Sequence, residues 1–333
     1  MKTNILLAII IPAFNAERYI EGCLTKIDRE VQSTPILKES VEVIVVDDCS
    51  TDNTFQVAQT VKSYLKSIDI RIERHTINKQ QGAARNTGLK AANGKYVWFV
   101  DVDDIINDQS LNGLSDFILY SDADIIQFHA MAMAMAMDGQ TFTEDYHKAS
   151  LGPMTGIEYL EYEAKLKYTN RIRASWSKLL RREFLINNSL YFHEGIYWED
   201  VVHTLKCFIA AQKVIYVPLV AYVYMQTPNS DMRGAQNGRK YADTIRFCAD
   251  SCMELIQNGV SQRIIDSMKP YYNKVLLKYA KNLKTLSKEE LECFIKIVQT
   301  LNLDYIEPCL GTDCHNWLKH QDEIVKCWKG ESI

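Results

Sequence analysis

The 333-residue chain has no apolar stretch approaching the roughly 20 residues that a membrane-spanning helix needs. It also lacks an excess of positive charge. The formal net charge is -4, which gives no electrostatic case for a nucleic-acid partner. Nine cysteines are scattered along the chain without a Cys-x-x-Cys. Neither a disulfide framework nor a zinc ribbon is signalled, so reduced thiols in a cytosolic protein are the simplest reading. Cys309, Cys314, His315 and His320 lie near one another, but their spacing fits no common zinc pattern. No internal repeat is present, and no low-complexity segment beyond a short Met-Ala run. Lys2 and the apolar run Ile5 to Ile11 imitate a signal peptide in outline. That run has only a strand's length and leads into Pro12-Ala13-Phe14-Asn15 without a small-residue cleavage pattern, so a first strand is expected.

What is present is organised around Gly94-Lys95-Tyr96-Val97-Trp98-Phe99-Val100-Asp101-Val102-Asp103-Asp104. The run from Tyr96 to Val100 is short, aromatic and β-branched, as in a buried strand of a covered sheet. It ends in three carboxylates, at the mouth where open α/β sheets bind ligands. Carboxylates so close repel each other unless something positive sits among them. A divalent cation holding a diphosphate answers that requirement, and a solvated acidic turn is the bland alternative.

The segments before this strand alternate regularly. Ile5–Ile11, Val41–Val46 and Ile70–Arg74 read as strands. Ala16–Ile27, a segment ending near Leu65, and Gly82–Ala92 read as helices, with Asn15 and Ser50 or Thr51 as caps. This alternation predicts a mostly parallel, doubly wound α/β sheet. After Asp104 the pattern predicts a helix over Leu111–Tyr120 and a strand over Asp124–Phe128. Met131 to Met137 alternates strictly before Asp138-Gly139, which suggests a strand of an antiparallel ribbon. Helices are expected over Gly156–Lys167, up to about Asn188, and from Tyr197-Trp198-Glu199-Asp200 to Ala211. Short strands over Val214–Val217 and Leu219–Tyr224 are separated by Pro218. From Arg239 on, the spacing is helical over Tyr241–Gln257, Ser261–Thr285, Lys288–Leu301 and His315–Trp328. A domain boundary is placed near Arg233-Gly234-Ala235.

Three strand ends carry polar signals: Pro12–Asn15, Asp47–Asp52 and Asp101–Asp104. In a parallel sheet they lie along one edge and can converge on one ligand. Asp48 is suited to accept the N–H of a pyrimidine base, or is a turn aspartate. Gly82-Ala83-Ala84-Arg85 opens a helix, and helix N-termini and arginine both suit phosphate. Glu199 and Asp200 are suited to remove a proton from an attacking hydroxyl, or to complement a helix dipole. Trp176 is suited to stack on a sugar face or to fill the core.

Taken together, five stretches resemble glycosyltransferase family 2 with its GT-A fold. They are residues 9–16 (Ile-Ile-Ile-Pro-Ala-Phe-Asn-Ala), 42–52, 82–88, Asp101-Val102-Asp103-Asp104 and Trp198-Glu199-Asp200; Trp176-Ser177-Lys178-Leu179 resembles the acceptor-side stretch. The resemblance covers about residues 4–225 and implies a GT-A (Rossmann-like) domain over 1–232, followed by a helical region over 233–333. Within the domain, 1–104 would form the nucleotide-sugar half and 105–232 the acceptor half. It implies inverting transfer from a nucleotide-diphospho-sugar, usually a UDP-sugar, with Mg²⁺ or Mn²⁺. It assigns Pro12, Phe14, Asn15 and Asp48 to the nucleotide, and Gly82 and Arg85 to the diphosphate side. Asp104 would bind the metal, with Asp103 beside ribose and metal. Asp200 matches the general base. Should Glu199 face the ligand and Asp200 cap the helix, the base would be Glu199. Trp176, Lys178 and Trp198 would meet the acceptor, a saccharide or lipid-linked saccharide of surface-polysaccharide synthesis.

The Gln-x-x-Arg-Trp stretch of processive synthases does not occur, which favours single additions. A nucleotidyltransferase would usually show a Gly-rich, cationic loop after strand one, where this chain has Pro-Ala-Phe-Asn-Ala. A nucleotide-sugar-binding scaffold without turnover is the rival from another class. Three roles are open to the helices after residue 239: a homodimer interface, a cover for the acceptor site, or a peripheral seat on the inner face of the membrane of a cytoplasmic protein.

Overall fold

The computed structural model describes residues 4–134, 141–142, 149–166, 173–226, 237–282 and 286–298. The chain begins β1 (Leu7–Ala13), α1 (Ile20–Gln32), β2 (Val41–Asp47), α2 (Thr54–Tyr64), β3 (Asp69–Arg74), α3 (Gln80–Ala91) and β4 (Tyr96–Phe99). It continues through β5 (Ile105–Ile106), α4 (Ser110–Tyr120), β6 (Ile125–Ala134), β7 (Thr141–Phe142), β8 (Leu151–Met154) and α5 (Gly156–Leu166). Then come β9 (Lys178–Arg181), α6 (Arg182–Asn187), α7 (Glu199–Ala210) and β10 (Val214–Gln226). Three helices follow: α8 (Gly238–Gln257), α9 (Gln262–Asn282) and α10 (Lys288–Val298).

One sheet runs β3-β2-β1-β4-β9-β6-β10-β5, with β7 on β6 and β8 on β10. The four strands of the first third pair in parallel, as does the long β6–β10 ladder. β9 enters antiparallel between β4 and β6 and joins the two parallel blocks. Every residue of β1 and β2 is buried, because helices cover both faces of the sheet. Side chains alternate between those faces along β1. Leu7, Ile9 and Ile11 pack with residues of α1, α2 and α4, whereas Ala8 and Ile10 pack with residues of α3, α5 and α7. Residues of α8, α9 and α10 share this second cluster. The described C-terminal helices thus complete one face of the sheet's core. The expected boundary near residue 233 and everything after residue 298 lie outside the described residues.

Several elements depart from expectation for local reasons. α1 starts at Ile20, and Asn15 does not cap it. Asn15 has a positive φ of 49° and instead accepts hydrogen bonds from the Thr51 N–H (2.9 Å) and hydroxyl (3.1 Å). Neither Ser50 nor Thr51 caps α2, where Asp52 accepts from the Thr54 N–H at 3.0 Å. β9 lies in the stretch from Arg173 to Leu180 and beyond, which reads in the sequence as leading into the helix that ends near Asn188, since four residues are too few to show a period. The two strands expected around Pro218 are one, β10, with its register shifted between Val217 and Val220. A proline has no N–H for the ladder, and a register irregularity accommodates that. β6 carries the Met-Ala alternation onward and pairs antiparallel with β7, as a ribbon should. The Asp138-Gly139 turn lies outside the described residues. α9 runs through Pro270 without ending.

Candidate active site

A cleft of about 1400 Å³ opens at the C-terminal ends of β1, β2 and β4. Its first wall carries Pro12, Phe14, Asn15, Asp48, Arg85, Asp101 and Asp103. Its second wall carries Trp176, Tyr197, Trp198, Glu199 and Asp200 from the later half, with Lys240 of α8 and Tyr271 and Lys274 of α9. The polar strand ends therefore do meet. α8 and α9 reach the cleft.

Asp48 follows β2 and is 3% exposed. Its Oδ1 accepts from His75 Nδ1 at 2.6 Å and from the Lys79 N–H at 2.9 Å. Oδ2 accepts from the same N–H at 3.1 Å. Beside it Phe14 is half exposed, leaving an aromatic face open to a planar ligand. Neither His75 nor Lys79 was singled out from the sequence. They sit in a loop with no motif, and only the fold brings them to Asp48.

The three carboxylates after β4 separate into two kinds. Asp101 and Asp103 line the cleft. Asp104, expected at the metal, is not among the residues that line it. Its carboxylate is 4% exposed and accepts from the Tyr222 hydroxyl and the Met225 N–H, both at 2.7 Å. Burial, with the charges of Asp101 and Asp103 added, holds Asp104 well above the usual carboxylate range. The Tyr222 hydroxyl also accepts from the Asp101 N–H at 3.1 Å. Asp104 and Tyr222 thus shape the turn that presents Asp101 and Asp103.

Arg85 is 2% exposed and fills the gap between the two walls. One end of its guanidinium donates to Asp101 at 2.7 Å, and the other pairs with Glu199. A buried cation so placed is anchored to both halves. Gly82, expected on the diphosphate side, is not among the residues that line the cleft. A Cβ there would run into the His193 carbonyl oxygen and close on Glu199 Cγ at 3.0 Å. Gly82 is a spacer that lets α3 approach the loop leading into α7.

Trp198 takes a left-handed conformation (φ 67°) at the start of α7 and turns the chain so that Glu199 and Asp200 open the helix. Glu199 is buried against Arg85. Burial pushes it up to about 7 against the pull of Arg85, and Asp200 raises it further. Asp200 is half-buried and lines the cleft, also raised by burial, with Arg85 pulling the other way. Both carboxylates line the cleft, and Glu199 is the one paired with Arg85. Trp176 lines the cleft with its ring stacked on Tyr222 at 4.8 Å and 7°. Trp198 lines it too, with its ring 6.1 Å from Phe247. Lys178, expected at the acceptor, is not among the residues that line the cleft. It is fully buried and donates to Ser177 Oγ at 3.2 Å and to the Ala174 carbonyl. Burial lowers it to about 7, although Cys207 and Asp200 act to raise it. It ties down the turn that carries Trp176. The C-terminal cysteine and histidine group lies outside the described residues. Among the described residues no group of three or more His, Cys, Asp and Glu is arranged to hold a metal ion.

The comparisons with known proteins agree with this geometry. The sequence profile "Glycosyl transferase family 2" matches residues 8–187. An uncharacterized glycosyltransferase of Bacillus subtilis, EpsJ, is 31% identical over 227 residues, 68% of this chain and 62% of its own. The poly(ribitol-phosphate) beta-N-acetylglucosaminyltransferase TarS of Staphylococcus aureus is 30% identical over 219 residues, 65% of this chain and 35% of its own. The match thus spans about a third of TarS and three fifths of EpsJ. Residues 1–349 of S. aureus TarS, solved with UDP-GlcNAc, superpose with a TM-score of 0.68 at 20% identity, covering 98% of this chain and 92% of that one. A mannosyltransferase of Pyrobaculum calidifontis, solved with GDP-Man and Mn²⁺, gives 0.53 at 15% identity, covering 96% and 84%. The fold is that of GT-A transferases. The chain belongs to glycosyltransferase family 2.

Proposed function

We propose that this chain is a metal-dependent, inverting glycosyltransferase. It would move a sugar from a UDP-sugar to a hydroxyl of a saccharide or lipid-linked acceptor in cell-surface polymer synthesis. The observation that carries the reading is one cleft lined at once by Asp48, Asp103 and Asp200. Base reader, diphosphate-metal carboxylate and proton acceptor then face a single bound donor and acceptor.

The donor set suits a divalent cation. Asp101 and Asp103 stand together with Arg85 as the balancing cation, and Asp104 adds a third carboxyl behind them. Mg²⁺ is commonly held by one or two carboxylates plus substrate phosphates, so two suffice when a diphosphate is present. Asp103, with Asp101 beside it, would hold Mg²⁺ or Mn²⁺, and Asp104 would act from behind through Tyr222. The bound ion supplies charge stabilisation to the departing diphosphate.

Asp200 would accept the acceptor hydroxyl's proton as that oxygen attacks the anomeric carbon. The contribution of such a base is about 10²–10⁴-fold. Glu199, held by Arg85, would fix the first turn of α7 and so the place of Asp200. One base acting opposite the leaving group gives a single displacement and inversion. Trp176 and Trp198 offer ring faces to a sugar. The chain would act in the cytoplasm, at the inner membrane face where an acceptor is lipid-linked. The first donor to try is UDP-GlcNAc, the ligand of the solved TarS domain.

The test is a hydrolysis screen of UDP-sugars with Mn²⁺, since transfer to water needs the donor site and the base but no saccharide acceptor. UDP release from one sugar nucleotide, lost in Asp200→Asn with UDP affinity kept, is expected. Tight UDP binding without turnover of any UDP-sugar or acceptor would replace the enzyme with the scaffold reading.

A further inference from the structure

We propose that His75 is a specificity-determining residue. It occupies one oxygen of Asp48 so that this carboxylate can accept only one hydrogen bond from a base, which selects uracil over guanine. The inference rests on the reading that Asp48 meets the base, and goes beyond it by saying how the site discriminates.

The geometry is a closed count. A carboxylate oxygen accepts about two hydrogen bonds. Asp48 Oδ1 already has two donors, His75 Nδ1 at 2.6 Å and the Lys79 N–H at 2.9 Å. Oδ2 shares the Lys79 N–H at 3.1 Å and keeps one lone pair for a ligand in the cleft. A carboxylate can only accept, so Nδ1 carries the proton. The other ring nitrogen, Nε2, meets Thr87 Oγ1 at 2.9 Å. Thr87 belongs to α3, so the imidazole is fixed at both ends between the β2 loop and the helix. Its side chain is 8% exposed and cannot turn aside without losing both partners.

The pyrimidine edge of UDP presents a single N–H between two carbonyl groups. One free lone pair on Oδ2 matches that edge. Guanine presents two adjacent donors, its ring N–H and its amino group, and a carboxylate pairs with them through both oxygens. With Oδ1 filled by His75, the second donor of guanine goes unpaired when buried. Such an orphan costs roughly 1–3 kcal/mol, or about tenfold to a hundredfold in affinity. Specificity here comes from a closed acceptor as much as from the open one.

Two substitutions of similar size separate this from packing. His75→Leu removes the donor to Oδ1. His75→Asn places an amide N–H at the same distance from the backbone as Nδ1. Calorimetric titration of UDP and of GDP, at one fixed Mg²⁺ concentration, gives an affinity ratio for each protein. The ratio in His75→Leu should fall at least about tenfold from wild type, whereas His75→Asn should keep it within about threefold. A wild-type ratio retained in His75→Leu would overturn the assignment, and so would equal losses in both variants, which would mark a packing role. Failure of the underlying reading looks different: wild type would bind UDP and GDP alike, or Asp48→Ala would keep the preference for UDP. A preference lost in Asp48→Ala but untouched in His75→Leu would remove His75 alone.

Discussion

The two walls of the cleft are built in different ways. In the proposed function the first wall is the donor's and the second the acceptor's; the donor wall comes from neighbouring strand ends of one parallel block, within about the first hundred residues. Its polar groups follow apolar strands directly, so the residues that face the ligand are set by where each strand stops. The acceptor wall is assembled from a 3₁₀ turn before β9, the loop before α7 and the helices α8 and α9. No single period runs through those segments. Arg85 is the joint between the walls, paired to Asp101 on one side and Glu199 on the other. A reaction that brings two substrates together needs such a joint, because the base and the leaving group must hold one line.

If the walls divide the work as proposed, damage to each should read differently. The largest effect is expected on the acceptor wall. Asp200→Asn should lower transfer at least about a hundredfold while UDP affinity stays within about threefold, under 1 kcal/mol. A fully active Asp200→Asn beside a dead Glu199→Gln would move the base to Glu199, and NMR of the product's anomeric carbon showing retention would sink single displacement. The same wall predicts a pH profile. Burial raises both Asp200 and Glu199, so both bind protons above the usual carboxylate range. A base must be deprotonated, so kcat should fall on the acid side from a higher pH than an ordinary aspartate gives. The linkage has the same sign: each raised carboxyl holds protons that the unfolded chain has released. This contribution to stability is complete below the unfolded pKa and is lost as pH rises through the folded value, near 7 for Glu199. Glu199→Gln should flatten the part of the stability profile between about pH 4 and 7, measured by urea unfolding.

The joint itself comes next. Gly82→Ala forces a methyl against the His193 carbonyl oxygen. Overpacking of this kind costs about 1–3 kcal/mol and should lower the urea midpoint. It should also lower kcat more than UDP affinity, since it moves α3 against the turn that carries Glu199. Unchanged stability would show that the loop gives way freely.

On the donor wall the sharper contrast lies between two adjacent aspartates. Asp103→Ala should weaken UDP binding in Mn²⁺ at least about tenfold, or 1.4 kcal/mol, and make it indifferent to EDTA. Asp104→Asn keeps the buried shape and should cost less than about threefold, roughly 0.6 kcal/mol. The reverse order would return direct metal contact to Asp104. The smallest effect is expected at Trp176, where the ring is already stacked on Tyr222. Trp176→Phe should raise the acceptor KM a few-fold and leave UDP-sugar hydrolysis unchanged. A loss of hydrolysis instead would place the ring on the donor.

Much of the donor half was legible beforehand. β1, β2 and β4 are apolar runs ended by polar residues, and burial on both faces leaves such runs no other place in a soluble fold. Asp48, Asp101 and Asp103 follow from where those runs end. Glu199 and Asp200 were legible only as a pair, since adjacent helix-start residues point in different directions. Which one meets Arg85 depends on the approach of α3 at Gly82.

The sequence by itself determined the parallel half of the sheet, the strand ends that line the cleft and the carboxylates carried there. These are consequences of local period and of strand ends. The tertiary structure decided the rest: Asp104 turned to Tyr222, Lys178 buried near the Phe208 ring, His75 set against Asp48, and α8 and α9 brought to the cleft. Asp104 and His75 depend on partners from 12 to more than a hundred residues away, and Lys178, α8 and α9 on the packing of other elements. A linear pattern carries the period of an element. It does not carry which neighbour will take a buried donor or acceptor, and in a dense interior that pairing determines which side chains remain for the ligand.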